Sequence, residues 1–200
     1  KVASEVKRNP DLSETIQGKC ARCHMPMAHV EATFNDESTT MFGDGFLSPD
    51  NPHFDAAAEG VSCTLCHQIE NTSVFGTEDA TSGKFVIAED TTDRKLYGPY
   101  ADPIQGPMIN NSGFTPVGSD HTRDSALCGS CHDVKTPIIE TSGKLTANEF
   151  PEQMIYSEWQ HSDFSTTGSE KSCQSCHMPV AAGKAKIASR PQFVEARDHF

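Results

Sequence analysis

Eight cysteines and nine histidines are distributed over 200 residues, and their spacing is regular enough to specify a chemistry. Cys20-Ala21-Arg22-Cys23-His24 returns as Cys63-Thr64-Leu65-Cys66-His67, as Cys128-Gly129-Ser130-Cys131-His132 and as Cys173-Gln174-Ser175-Cys176-His177. Two thiols one turn apart can add across the two vinyl groups of a porphyrin, and the His that follows then sits beneath the iron. Cys-x-x-Cys-His is the attachment sequence of c-type haem, so four copies predict four covalently held haems. Cys20, Cys23, Cys63, Cys66, Cys128, Cys131, Cys173 and Cys176 would form the thioethers, and His24, His67, His132 and His177 would be the proximal ligands. With nine His in 200 residues, chance would place His after all four second cysteines only roughly four times in a million. Zinc knuckles also use paired Cys-x-x-Cys, but nothing in zinc chemistry requires His directly after every second Cys. The motifs consume all eight cysteines, leaving no thiol for a disulfide or a nucleophile.

Five further histidines remain, His29, His53, His121, His161 and His199, against four distal iron positions. His53, His121 and His161 precede a motif by ten, seven and twelve residues, and each is expected to be a distal ligand. His29 and His199 compete for the fourth place, and a ligand on a terminal segment is well placed to serve a neighbouring subunit's haem. Met27, Met41, Met108 and Met154 are expected to pack against porphyrin rather than ligate it. Enough histidine to fill every site requires no open iron, so the reading is electron transfer and not an enzyme. A nitrogen-oxide reductase with one vacant haem is the alternative with turnover.

These side chains need elements to hold them. Residues 1–9 read as a polar surface arm. Pro10-Asp11 should start a helix carrying Leu12, Ile16, Cys20 and Cys23, ended by Pro26. Residues 30–59 read as irregular, with Asp44, Asp50 and Asp55 in a solvated acidic loop and a helical turn at Ala56-Ala57-Ala58. Two β-hairpins are expected, around Thr81-Ser82-Gly83 and around Thr141-Ser142-Gly143. Residues 95–120 read as a long loop. A helix should begin at Pro151 and place Met154, Ile155, Glu158 and His161 on one face. Ser169 or Gly168 should cap a short helix into the last motif. The expected fold is a single domain over 1–200, built of short α-helices, long irregular loops and small hairpins around four haems.

Composition agrees with such a wrapping. The hydrophobic fraction is 36%, low for a globular core of this length, and porphyrin faces would supply the missing apolar surface. The formal charge of −12 disfavours nucleic acid and anionic membrane. No run of eighteen apolar residues predicts a membrane span. Covalent haem attachment normally happens outside the cytoplasmic membrane. A mature, exported chain with its signal peptide removed is therefore expected at the cell surface or beyond it, with the periplasm as the alternative.

Several longer words carry a resemblance: Cys23-His24-Met25-Pro26-Met27-Ala28, Leu96-Tyr97-Gly98-Pro99, Phe114-Thr115-Pro116, Phe150-Pro151-Glu152-Gln153, Glu158-Trp159-Gln160-His161 and Cys176-His177-Met178-Pro179. Together they resemble the multihaem c-type cytochromes of metal-reducing bacteria, and most of all the tetrahaem subunits of extracellular cytochrome nanowires. The resemblance implies four stacked, bis-His haems and identical subunits joined head to tail in a conductive filament. One haem would be ligated by a His from the next subunit. The electron partners implied are other cytochromes or extracellular metal oxides. A monomeric periplasmic shuttle is the alternative. Arg197-Asp198-His199-Phe200 resembles a His-containing tail of the wider family.

Overall fold

The computed structural model describes residues 1–90, 92–166, 171–186 and 193–194. His199 and the cap positions Gly168 and Ser169 lie outside them. The first third is helical: α1 (Val2–Arg8), α2 (Ser13–His24), α3 (Pro26–Phe34) and α4 (Phe54–Glu59). The expected surface arm is therefore a helix, because Val2 packs onto the core beside Cys20 and Met25. Pro26 does end α2, but it also occupies the first turn of α3, where its missing N–H costs nothing. The helical part of 30–59 is thus longer than expected at its start. At its end, α4 covers the Ala56-Ala57-Ala58 turn and stops at Gly60, whose φ of 68° suits only glycine well.

A small core forms where these helices meet. Ala21, Ala28, Ala32, Met41, Phe46 and Ala57 are buried together. Gln17 holds the loop that delivers Phe46, its Oε1 accepting the backbone N–H groups of Met41 at 2.9 Å and Phe42 at 2.8 Å. A second cluster joins Leu65, Ile69 and Phe85, with Met27, Val30, Phe75, Ile87, Leu127 and Cys131 packed against it.

The rest of the described chain is short elements: α5 (Cys63–Gln68), β1 (Lys95–Gly98), α6 (Gly106–Ser112), β2 (Thr115–Gly118), α7 (Ala126–His132), β3 (Asp133–Ile139), β4 (Leu145–Met154), α8 (Ile155–Gln160), α9 (Cys173–His177), β5 (Ala185–Lys186) and β6 (Phe193–Val194). The stretch expected to be a long loop contains a parallel pair, with Leu96 opposite Pro116 and Tyr97 opposite Val117, and α6 as the crossover. Of the two expected hairpins, the second forms and is longer than the sequence suggested, β3 pairing antiparallel with β4 from Asp133↔Met154 to Ile139↔Leu145. That pairing also corrects the helix expected from Pro151. The chain stays extended through Met154, Pro151 facing Lys135 on an edge strand where a missing donor is tolerated, and α8 begins only at Ile155. The first hairpin does not form. Its turn is present, but Ser82 N–H donates to Asp133 O at 2.8 Å and Gly83 N–H to Ser130 O at 2.7 Å. Those donors are spent on another part of the fold, leaving a single bridge between Ile69 and Ile87.

Candidate haem-attachment sites and axial histidines

All four motifs are helical, in α2, α5, α7 and α9. Helical spacing puts the two thiols of each motif on one face. α2, α7 and α9 end on the motif His, and α5 ends one residue beyond it. His24, His132 and His177 are exposed and His67 is half-buried. All eight cysteines are free thiols, and none is fully buried. A group fixed through two sulfurs and one imidazole fits this donor set.

The motif helices gather around α7. Gly83 lies between the first and third motifs. Beyond its bond to Ser130 O, a Cβ on Gly83 would stand 3.1 Å from Cys23 Sγ, and its φ of +77° independently favours glycine. Lys19 Nζ donates to Lys135 O at 2.7 Å, tying α2 to β3. The second motif meets α3, the helix that follows the first motif, by a weak Thr64 Oγ1–H contact to Met27 Sδ at 3.9 Å. It joins the third through Leu65 and Ile69 against Leu127 and Cys131. The fourth motif hangs on the approach to the third: Cys173 N–H donates to Ser125 Oγ at 3.0 Å, and Gln174 Nε2 donates to Asp124 O at 2.8 Å.

The thiols feel this crowding. Burial, reinforced by the Cys173 and Cys66 thiols, pushes Cys128 up to about 12. Cys131 donates its hydrogen bond to Cys23; that bond and burial raise Cys131, while the same bond and the Arg22 guanidinium lower Cys23 against the opposing effect of its burial. Burial also raises Cys20 and Cys66. Among the described residues no three His, Cys, Asp or Glu side chains converge on one metal position.

The histidines differ in how their rings are held. A carbonyl oxygen only accepts, so the ring nitrogen facing it carries the proton. His67 Nδ1 donates to Tyr97 O, and in the neutral ring Nε2 then carries the lone pair. His161 Nδ1 donates to Ser157 O at 2.7 Å in the same way, and the ring is exposed. Metal-binding imidazoles usually show this arrangement, the far N–H anchored on a carbonyl. His121 is set oppositely. It is 4% exposed, its Nε2–H donates to Ile69 O at 2.8 Å, and its Nδ1 accepts from Ser119 Oγ at 2.6 Å. Ligation through Nε2 would require the ring to leave Ile69 and the proton to move to Nδ1, where the Ser119 hydroxyl can accept instead of donate. The ring already lies edge-on to Tyr97 at 5.0 Å, beside the anchor of His67. His53 is also buried. Its Nε2 is hydrogen-bonded to the Glu37 carboxylate, and its Nδ1 lies 3.6 Å from Glu31.

His29 sits on α3, its Nδ1 facing Thr33 Oγ1 at 3.4 Å. Burial, and then the Arg22 guanidinium, lower its pKa from 6.5 to about 4. At neutral pH the ring is therefore uncharged, as an iron ligand must be. The sign for stability follows. Between about 4 and 6.5 the unfolded chain binds a proton that the folded one refuses, so stability rises with pH across that window and is lost on acidification. Denaturant midpoints of the haem-free chain should fall from pH 6.5 to 4, with a shallower slope in His29→Gln. An unchanged slope would contradict the assignment.

The residues that orient these rings were not apparent in the sequence. Ser157 had a local signal, four residues before His161 on a helix, as did Ser119, two residues before His121. Tyr97 had none, since it meets His67 across thirty residues of chain. Among the described residues, no helix is long and apolar enough to cross a membrane. No family model, curated protein or solved structure matches the chain.

Proposed function

We propose that the chain holds four c-type haems and passes electrons among them, as the repeating subunit of an extracellular conductive filament. The observation that carries the haem reading is the gathering of three Cys-x-x-Cys-His helices around the fourth, α7, their thiols free and their histidines at or next to the helix ends. Bound at these positions, each iron would cycle between ferrous and ferric states. The chain's own part is placement. The cysteine pairs fix each macrocycle's edge, His24, His67, His132 and His177 supply one axial nitrogen each, and His53, His121 and His161 supply the opposite one. The fourth distal nitrogen comes from His29 or from His199, in the same subunit or the next.

Exposed apolar side chains support a surface that something covers. Val61, Ile104, Phe150, Ile155 and Phe164 are each more than half exposed. Porphyrin faces and a neighbouring copy would both bury such groups. The filament reading draws on the resemblance and on simple electrostatics. A subunit of formal charge −12 resists self-association. A coordinate bond across a head-to-tail interface would offset that repulsion, and such an interface propagates when its rotation does not close. The net charge of −12 and the four Cys-x-x-Cys-His motifs support reading it as an exported protein serving respiration onto acceptors outside the cell.

Electron microscopy of the haem-loaded protein tests the assembly. Filaments with one chain per repeat are expected. Isolated particles at every concentration would reject the filament and leave an electron shuttle.

A further inference from the structure

One buried carboxylate links a motif histidine to a distal candidate. Asp133 follows His132 directly and is only 5% exposed. Both its oxygens are engaged by one residue of α8: Oδ1 accepts the Ser157 backbone N–H at 3.0 Å, and Oδ2 accepts the Ser157 hydroxyl. Ser157 in turn presents its carbonyl to His161, accepting Nδ1–H at 2.7 Å and the backbone N–H at 3.2 Å.

The carboxylate is well suited to this task. α8 is six residues long, too short to persist without tertiary support, and its N-cap Met154 makes no side-chain cap bond. Asp133 supplies what the cap lacks, an anionic acceptor at the helix's positive end. The docking is reinforced by Tyr156, which lies against Gly129 inside the third motif, and by Trp159, whose indole N–H donates to Lys171 O at 2.8 Å. The line from Asp133 through Ser157 to His161 therefore fixes which ring nitrogen of His161 is protonated and where the other one points.

We propose that Asp133 is a positioning residue for His161, acting through Ser157 to hold the His161 ring in its iron-binding tautomer and orientation. This rests on the reading of His161 as an axial ligand. It adds a dependence of that ligand on a residue adjoining the third motif, although His161 lies in sequence before the fourth.

The test uses the haem-loaded protein and low-temperature electron paramagnetic resonance of its ferric state, with carbon monoxide binding to the reduced state. His161→Ala should abolish one low-spin signal and open one haem to carbon monoxide. Asp133→Asn keeps the shape but turns an acceptor into a donor facing the Ser157 hydroxyl. It should shift or abolish that same signal and leave the others in place. Ser157→Ala should shift it in the same direction, and Ser157→Thr, which keeps the hydroxyl, should restore it. If Asp133→Asn and Ser157→Ala both leave the His161-dependent signal unmoved, the positioning role is wrong. Should Asp133→Asn fail to fold, the alanine and threonine pair at Ser157 decides alone. If His161→Ala alters no signal while four haems are still bound, the ligand assignment beneath the proposal is what fails.

Discussion

Phe46→Ala is expected to lower the stability of the chain by roughly 3–5 kcal/mol, read as a fall in the denaturant midpoint. Phe46 is 0% exposed and sits among Ala21, Ala28, Ala32, Met41 and Ala57. Four of those neighbours are alanines, with no side-chain length to swing into the space left behind, so the cavity should persist. The consequence reaches the sites. Ala21 lies inside the first motif, and the Phe46 ring also meets His53 edge-on at 6.0 Å. Loss of Phe46 should therefore loosen α2 against α3 and α4 and free His53 to move. Phe150→Ala is the matched control. Phe150 is 58% exposed on β4, and its removal should change stability by less than about 0.5 kcal/mol. A Phe46→Ala chain as stable as the control would show that haem contacts, not this core, carry the fold around the first motif.

Gly129→Val should be the most damaging substitution within a motif that spares its cysteines and histidine. A Cβ there would stand 2.6 Å from both Cγ and Cδ1 of Tyr156, closer than any real contact. Tyr156 is buried and stacks on Trp159 with ring centroids 5.8 Å apart, so it has little freedom to give way. Overpacking of this kind costs about 1–3 kcal/mol, or else separates the two elements. Separation would take α8 and His161 away from α7. The expected result is a lowered midpoint together with loss of the His161-dependent low-spin signal. Gly129→Val combined with Tyr156→Ala should be less destabilised than the sum of the two single variants, because the clash partner is then gone. If the single variant left both readings unchanged, α8 would not be docked on α7 in the loaded protein.

The four Cys-x-x-Cys-His words were legible because each is written in five consecutive residues, and their helical setting agrees with the short helices expected around them. The helix into the first motif and the hairpin at Thr141-Ser142-Gly143 were legible because proline, glycine and alternation act locally. What could not be read was which motif adjoins which. Gly83 between Cys23 and Ser130, Thr64 on Met27, and Ser125 on Cys173 join residues far apart in the chain, and no periodicity announces them. The same distance effect explains the missed hairpin at Thr81-Ser82-Gly83. Its turn residues were recognised, but their N–H groups are taken by β3 and α7. Pro151 misled for a different reason. Proline in a first helical turn and proline on an edge strand have the same sequence signature, and pairing with Lys135 decided between them.

The assignment of four haems is tested most directly by the intact mass and the pyridine haemochrome spectrum of the chain produced in a host that matures c-type cytochromes. Four covalently bound haems per chain are expected, with loss of one when both cysteines of any single motif are replaced. A purified, folded chain with no Soret band, whether zinc-bound or metal-free, would contradict it.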